Sequence, residues 1–418
     1  MNVLVVGTGG REHALCWRLR AGGHQVIAAP GNPGMAEVAS CVDVSVADSD
    51  ALIALALERQ VDLVVIGPEG PLVAGLADRM RRRGLVVFGP SAAAARLEGS
   101  KLFAKSFFQR HSIRSAEFAE CTSLAQVDAA LASLGDRVVV KADGLAAGKG
   151  VVVCGAADEA RAAAREMLEG NRFGAAGRKL VVERRLSGRE LSVFALCDGS
   201  RAALLPAVED HKAVLDGDRG PNTGGMGTVS PAGWASDELV DRVRREIFEP
   251  TLAGLAADHL EFRGVLFAGL MIEADGTPWI LEYNVRFGDP ETQVQMARLD
   301  TDLGAWLHGA AHGKMPAGRI ETSAGAAVCL VLASHGYPGE PRTGDAIRGL
   351  DQVPDGVLVF HAGTAQVGEQ LVTAGGRVLG VTARGDTVAD ARALAYRAAE
   401  VIQFDGMHYR SDIGARHA

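Results

Sequence analysis

The sequence predicts a multidomain protein of mixed α/β and α+β class: an N-terminal parallel α/β domain, a two-lobed core and a strand-rich C-terminal domain. Three observations predict it. Up to about residue 100, short β-branched runs alternate with stretches of helical period, the pattern of a parallel sheet covered by helices. Between about 105 and 320, two groups of strands with their own helices follow one another, and after roughly 323 short strands and turn residues return. A length of 418 residues leaves room for about three such units.

In the first domain, placed at 1–104, the strands are Val3–Val6, Val26–Ala29, Leu63–Ile66 and Val86–Phe88, separated by Ala/Leu/Arg-rich stretches. The first turn, Gly7-Thr8-Gly9-Gly10-Arg11-Glu12, opens a helix, where free backbone N–H groups and the helix dipole favour a phosphate. A dinucleotide fold would want glycine where Glu12 stands and a clear acidic residue about 20 positions later, so a nicotinamide-binding reading is disfavoured. Helical spacing from Leu97 to His111 leads into a core placed at 105–322. Its small lobe, about 118–190, is read from strands near 117–119, 138–140, 151–154 and 180–182 with helices at 123–134 and 157–169. A second lobe has strands near 191–197, 202–207, 265–273 and 279–284 and one long helix over 236–259, so the two lobes are shaped to clamp a nucleotide. The last domain, 323–418, has strands Ala326–Leu332, Gly356–Phe360 and Val378–Val381 and a helix from Thr387 to Ile402. It shows no catalytic cluster and reads as a covering domain.

Composition narrows the function classes. With 48% hydrophobic and 22% charged residues the chain has the balance of an ordinary globular protein. A net charge of −8 argues against a nonspecific nucleic-acid or membrane-surface role, because polyanion binding draws on clustered Lys and Arg. The dense basic run Arg79, Arg81, Arg82, Arg83 reads as a solvated helix end. Six cysteines form no CxxC pair, which points away from zinc and towards a reducing cytoplasm. No apolar run reaches the roughly 18 residues of a membrane span, and Met1 leads directly into the first strand.

The densest chemistry lies at 281–293. Glu282 and Asn284 alternate with Leu281 and Tyr283 at the end of an apolar run, so on a strand both polar side chains share a face. Two oxygen donors side by side suit Mg²⁺, and Mn²⁺ is tolerated by the same ligands. The plainer alternative is a strand end facing solvent before a turn at Gly288-Asp289-Pro290. Lys141 to Gly150, KADGLAAGKG, has three glycines and two lysines between apolar runs, a composition that brings N–H groups and ammonium charge to phosphates or, alternatively, makes an exposed turn. It lacks Walker A spacing, since glycine follows Lys149. Lys141 ends an otherwise apolar strand, where a cation needs an anionic partner. The segment 210–227 is too glycine-rich for helix or strand and is expected to close on substrate; within it His211 reads either as a general base or, more commonly, as a hydrogen-bonded structural residue.

RFGDPETQ at 286–293 resembles the signature octapeptide of the glycinamide ribonucleotide synthetases, the phosphoribosylamine–glycine ligases. Further stretches are similar to that family in its order: GTGGREHAL at 7–15, GPEGPLV at 67–73, GPSAAAARLEGSK at 89–101, KADGLAAGKGV at 141–151, GPNTGGMG at 220–227 and HAGT at 361–364. The resemblance spans the chain and implies an ATP-grasp ligase with a biotin-carboxylase-like N-terminal domain.

What the resemblance implies residue by residue is specific. The 141–150 loop, with Lys141, Gly148 and Lys149, would close over the triphosphate of ATP, and Lys105 would reach the phosphates from the other side. The connection from Glu183 to Leu186 would read adenine through backbone groups, and Glu190, seven residues after Glu183, would hold the ribose hydroxyls. Arg184 and Arg185 depart from the family's more acidic and aromatic residues, and Ala213 and Leu215 stand where it is more basic. Glu282 and Asn284 would hold Mg²⁺ (or Mn²⁺). Arg286 would hold a carboxylate and Asp289 an ammonium, which together describe glycine. Gly9 and Gly10, or Arg219, would meet the sugar phosphate of 5-phosphoribosylamine, and Asn222, Gly224 and Gly225 would close on the substrate. The implied partners are small molecules only, with no nucleic acid and no membrane, acting on a cytoplasmic monomer in purine synthesis. Rival readings are another carboxylate–amine ligase or ATP-dependent carboxylase, a nucleotide-binding regulator without turnover, and a dehydrogenase.

Overall fold

The computed structural model describes residues 1–145, 150–170 and 177–417. In the N-terminal region, strands Asn2–Gly7, Gln25–Pro30 and Leu63–Ile66 pair in parallel, with Val3 to Val6 fully buried. The short strands Ser40–Cys41 and Val87–Phe88 complete the edges. Asn2–Gly7 is central, with Gln25–Pro30 on one side and Leu63–Ile66 on the other, so the chain changes direction across the sheet beside Gly7 and Gly67. The crevice at the carboxyl ends of such strands is where open α/β sheets bind ligands.

The core forms two antiparallel sheets. The small lobe orders its strands as Phe118–Cys121, Leu180–Arg184, Val138–Ala142, Val151–Val153 and packs them on helices Leu124–Leu134 and Ala157–Glu169. Its apolar residues, among them Cys121, Val127, Val138, Val140, Leu180 and Val182, make a core of their own. The second lobe orders Ala202–Leu204, Arg189–Cys197, Gly264–Ile272, Pro278–Asn284. Its core merges with that of the N-terminal domain, Leu4, Val6 and Ile66 clustering with Leu191, Val193 and Ile280. The small lobe is thus the part with separate packing, which suits one jaw of a clamp.

Several elements differ from the sequence reading. The strand expected at 202–207 stops at Leu204, two residues before Pro206, which has no N–H to pair. The long helix expected over 236–259 is interrupted. It runs as Asp237–Val243, a π-helical turn Arg244–Phe248, then Glu249–Ala257. Pro250 sits at the start of the last piece, and a widened turn before it accommodates the missing donor.

The segment 210–227, read as having no strand, contains the hairpin Ala213–Leu215/Arg219–Asn222 and lies between the strands Glu209–Asp210 and Gly227–Ser230. Gly217 and Asp218 both take positive φ, the requirement of a tight hairpin turn. The turn is fastened to the C-terminal end of the chain: Arg410, fully buried, donates to Asp218 Oδ1 at 2.9 Å and to the Ala213 carbonyl at 3.1 Å, and Gly217 N donates to Asp412 Oδ2 at 2.8 Å.

The C-terminal sheet orders Glu209–Asp210, Gly227–Ser230, Ala326–Ala333, Arg377–Gly385, Leu358–His361. Two strands flanking the glycine-rich segment therefore belong to the sheet of the last domain. Helix Val388–Val401 starts in a capping box made by Thr387 and Asp390, and its Ala391, Ala395, Ala398 and Ala399 are buried on one face.

Candidate functional site

The strand Pro278–Asn284 delivers Glu282 and Asn284. Between them Tyr283 turns into the core, its hydroxyl 2.8 Å from Thr251 Oγ1, so the two polar side chains point the other way. Glu282 lies opposite Gly269, which leaves its face of the sheet open. Burial pushes the Glu282 carboxyl up, but Lys101, Lys141, Lys212 and Arg286 outweigh it and hold the group ionised below its usual range. Asn284 Oδ1 accepts from Arg286 Nη2 at 3.0 Å. Among the described residues no three His, Cys, Asp or Glu side chains converge as a metal cage. One carboxylate and one amide oxygen in a cationic field fit Mg²⁺ shared with phosphates, which keeps several non-protein ligands.

Lys105 and Lys141 meet at Glu183. The antiparallel register puts Lys141 and Glu183 diagonally on the face of the small lobe that turns away from its core. Glu183 Oε1 is 2.6 Å from Lys141 Nζ and Oε2 is 2.6 Å from Lys105 Nζ, with all three residues at most 5% exposed. Burial raises the Glu183 carboxyl and the two ammonium groups more than reverse this, leaving it below its ordinary value. The anion that Lys141 needed is therefore Glu183. Lys105 is buried where a helix lysine is usually solvated, and it also donates to the Ala116 carbonyl at 3.3 Å. Lys141 donates to the Leu281 carbonyl at 3.3 Å, joining the small lobe to the strand that carries Glu282. The Glu183 carboxylate is engaged by the two lysines, and the chain towards Leu186 is held by Arg184 N donating to Glu117 O at 2.9 Å. Gly148 and Lys149 lie outside the described residues.

Glu190 pairs with Lys212 at 2.8 Å. Burial works against the Lys212 ammonium, but Glu190, Glu282 and Asp210 hold it charged. Lys101, Lys212 and Asp210 were not singled out from the sequence. Their signal there was slight: a lysine in LEGSK and a DHK triplet. His211 is buried with Nδ1 3.3 Å from the Gly227 carbonyl, and burial lowers its affinity for a proton, with Arg410 adding to the effect. The ring is thus held against the backbone in its neutral form.

The signature segment gathers the substrate candidates. Arg286 Nη2 lies 3.1 Å from Glu98 Oε1, Nη1 donates to Phe287 O at 3.1 Å, and Nε is 3.4 Å from Glu69 Oε2. The carboxylates it holds here are the chain's own. Asp289 Oδ1 accepts from Gln293 Nε2 at 2.7 Å; burial raises this carboxyl and Arg377, then Arg11, bring it below its usual range.

The glycine turn at the first helix abuts the same segment. A Cβ on Gly10 would lie 2.7 Å from Gln293 Nε2, and one on Gly9 3.4 Å from Asp289 Oδ2. The Gly9 amide, however, already donates to Glu12 Oε2 at 2.7 Å, so the helix start is capped by an internal carboxylate. Glu12 fills the switch point between Gly7 and Gly67, where a dinucleotide fold keeps space, and it is 2% exposed.

On the other side of Asp289, a Cβ on Gly225 would come 2.5 Å from Pro290 Cδ and 2.8 Å from Asp210 Oδ1. Gly224 O accepts from Arg377 Nη1 at 2.6 Å. Asn222 is exposed on the hairpin, and Arg219 beside it donates to its own turn, Nε to Asp216 O at 3.1 Å. The C-terminal domain is more than a cover: Arg377 reaches Asp289, and His361 N donates to His13 Nδ1 at 2.8 Å beside the glycine turn.

Comparison with known proteins gives the family of the chain. The chain matches the phosphoribosylglycinamide synthetase family models for the N domain over residues 1–98, the ATP-grasp (A) domain over 99–292 and the C domain over 327–416. A phosphoribosylamine–glycine ligase from Mesorhizobium japonicum is 50% identical, with 99% of this chain and 98% of the relative covered. One from Xanthomonas campestris is 49% identical over 100% of this chain and 98% of the relative. The crystal structure of the Thermotoga maritima phosphoribosylamine–glycine ligase superposes with a TM-score of 0.88 at 35% identity, covering 99% and 100% of the two chains. The biotin carboxylase domain of Hydrogenobacter thermophilus 2-oxoglutarate carboxylase, in complex with MgADP, shares the fold at a TM-score of 0.73 and 18% identity, with 97% of this chain and 91% of that one covered. The chain therefore belongs to the phosphoribosylglycinamide synthetase family, the phosphoribosylamine–glycine ligases.

Proposed function

We propose that this chain ligates glycine to 5-phosphoribosylamine at the expense of ATP, giving glycinamide ribonucleotide, ADP and phosphate in purine biosynthesis. The observation that carries the reading is full-length identity of about half to phosphoribosylamine–glycine ligases, together with the convergence of their signature segment on one site. The glycine carboxylate attacks the γ-phosphorus of ATP, the bond to ADP breaks, and glycyl phosphate forms. The amine of phosphoribosylamine then attacks the acyl carbon, phosphate leaves with the electron pair, the nitrogen gives up a proton to the departing phosphate, and an amide remains.

Lys105 and Lys141, fixed by Glu183, offset phosphate charge at the junction of the lobes. Gly148 and Lys149 complete that cradle, Leu186 and Glu183 present backbone to adenine, and Glu190 takes the ribose. Mg²⁺, or Mn²⁺ in its place, supplies further neutralisation of the phosphates, and Glu282 with Asn284 would hold it. Supporting this is the ionised state of Glu282 among four cations. Arg286 takes a carboxylate by exchanging contacts with Glu98 and Glu69, and Asp289 takes the glycine ammonium. Gly9, Gly10, Asn222, Gly224 and Gly225 form the floor for phosphoribosylamine.

The same proposal includes a monomer in the cytoplasm, with no nucleic-acid or membrane partner. Its support is that the six cysteines are free, as a reducing compartment keeps them. Phosphate release from ATP and Mg²⁺ is expected only when glycine and fresh phosphoribosylamine are both present, with glycinamide ribonucleotide found by mass. Release driven by bicarbonate, or by another carboxylate in place of glycine, would assign the chain to a rival acceptor. Light scattering at working concentration tests the monomer.

A further inference from the structure

We propose that Arg377 is a positioning residue for the ligation, contributed by the C-terminal domain: its guanidinium joins the Asp289 carboxylate to the Gly224 carbonyl, aligning the signature segment and the glycine-rich loop as one substrate surface. The inference rests on the ligase reading above.

Arg377 begins the strand Arg377–Gly385, and its main chain is fixed by the turn after His361. Gly363 N donates to Arg377 O at 2.9 Å, and Ala362 N donates to Val378 O at 2.9 Å. A Cβ on Gly363 would lie 2.8 Å from Arg377 O, so this close approach requires glycine. From that anchor the guanidinium spans two segments 65 positions apart in sequence, 289 minus 224. Nη1 donates to Gly224 O at 2.6 Å and to Asp289 O at 2.5 Å, while Nη2 lies 3.4 Å from Asp289 Oδ2.

The loop is held at the same place from its other side, Gly224 N donating to Tyr337 Oη at 3.0 Å. Tyr337 also belongs to the C-terminal domain. A planar fork of donors can satisfy two carbonyls and a carboxylate together, whereas a lysine offers one point charge. Burial opposes the Arg377 charge, and the carboxylates around it, Asp289 foremost, sustain it. The Asp289 oxygens lie towards Gly9 and Gly10, so Arg377 acts on the reacting groups through Asp289 and the loop.

The test uses the full-length protein with Arg377→Ala and Arg377→Lys, measuring kcat and KM for both substrates, thermal unfolding, and rescue by millimolar guanidinium. Loss of alignment is expected to lower kcat/KM about 100-fold in both variants, as misplacement by an ångström does. Free guanidinium is expected to recover at least tenfold of this in Arg377→Ala and little in Arg377→Lys, where the side chain fills the space, while unfolding temperatures stay near the parent's. Unchanged kcat/KM in Arg377→Ala overturns the proposal, as does a loss that tracks unfolding and resists guanidinium. A parent protein that does not ligate glycine at all would instead remove the reading on which the proposal rests.

Discussion

Glu183→Gln is the most searching perturbation of the site. The amide keeps the shape of the side chain and removes the one carboxylate between Lys105 and Lys141, which are 3% and 5% exposed. Breaking a buried ion pair by removing one partner costs about 3–5 kcal/mol, because an uncompensated charge remains. Here two cations remain, so the lower end is a floor unless the lysines release protons. Strands Val138–Ala142 and Leu180–Arg184 carry Lys141 and Glu183 and pair directly, and the small lobe has its own core. The cost should therefore appear as easier opening of that lobe. At about 1.4 kcal/mol per decade, amide hydrogen exchange in these two strands is expected to accelerate by roughly two to three and a half decades. Exchange in the N-terminal strand Asn2–Gly7 should change far less. Pairing Glu183→Gln with Lys141→Met should recover part of the loss, since it removes one of the stranded charges. Acceleration of less than tenfold, or acceleration spread evenly over the chain, would refute the claim that the triad holds the small lobe.

Three further outcomes follow from the same geometry. Glu282→Gln is expected to reduce kcat by about 100-fold or more with little change in unfolding temperature, since glycine, not a packing side chain, stands opposite it and the amide keeps its shape; a large drop in stability would make Glu282 structural. Stability should fall on acidification below about pH 6.5. His13 and His361 protonate at about 3 and about 4 in the folded protein, mainly because they are buried, whereas unfolded imidazoles take up protons near 6.5. The unfolded state thus binds more protons in that window, and at pH 5 each histidine is expected to remove about 2 kcal/mol, read by urea unfolding at a series of pH values. Gly225→Ala should lower kcat/KM for phosphoribosylamine, because the residue has φ +112° and a Cβ would press on Pro290 and Asp210; parent-like kinetics would show that the loop does not meet the acceptor.

The parts of this molecule readable from sequence were those with a local period or a local conflict. Val3 to Val6 announced a buried parallel strand by an unbroken apolar run rich in valine, and Glu282 and Asn284 fell on one face by alternation alone. Lys141 announced an ion pair because a cation ends an apolar strand, but its partner Glu183 lies across a pairing that no local pattern encodes. Long-range partners hid the rest. The hairpin after His211 depends on Arg410, Ser411 and Asp412 at the far end of the chain. Glu209–Asp210 and Gly227–Ser230 are too short to show alternation and gain their place from pairing beside Ala326–Ala333. Arg377, in an ordinary strand of a domain that looked like a cover, gave no sign that it meets Asp289. In the first turn, Glu12 in place of glycine was legible as a departure from dinucleotide binding; that it caps Gly9 was not.

Activation of glycine as an acyl phosphate requires that one of its carboxylate oxygens pass to phosphate. The most direct measurement is single-turnover ligation with glycine carrying oxygen-18 in both carboxylate positions, followed by mass analysis of the products. Transfer of one labelled oxygen to inorganic phosphate, with the other kept in the glycinamide ribonucleotide, is the predicted result. Unlabelled phosphate, or label in AMP or ADP, would show that the carboxylate does not attack the γ-phosphorus.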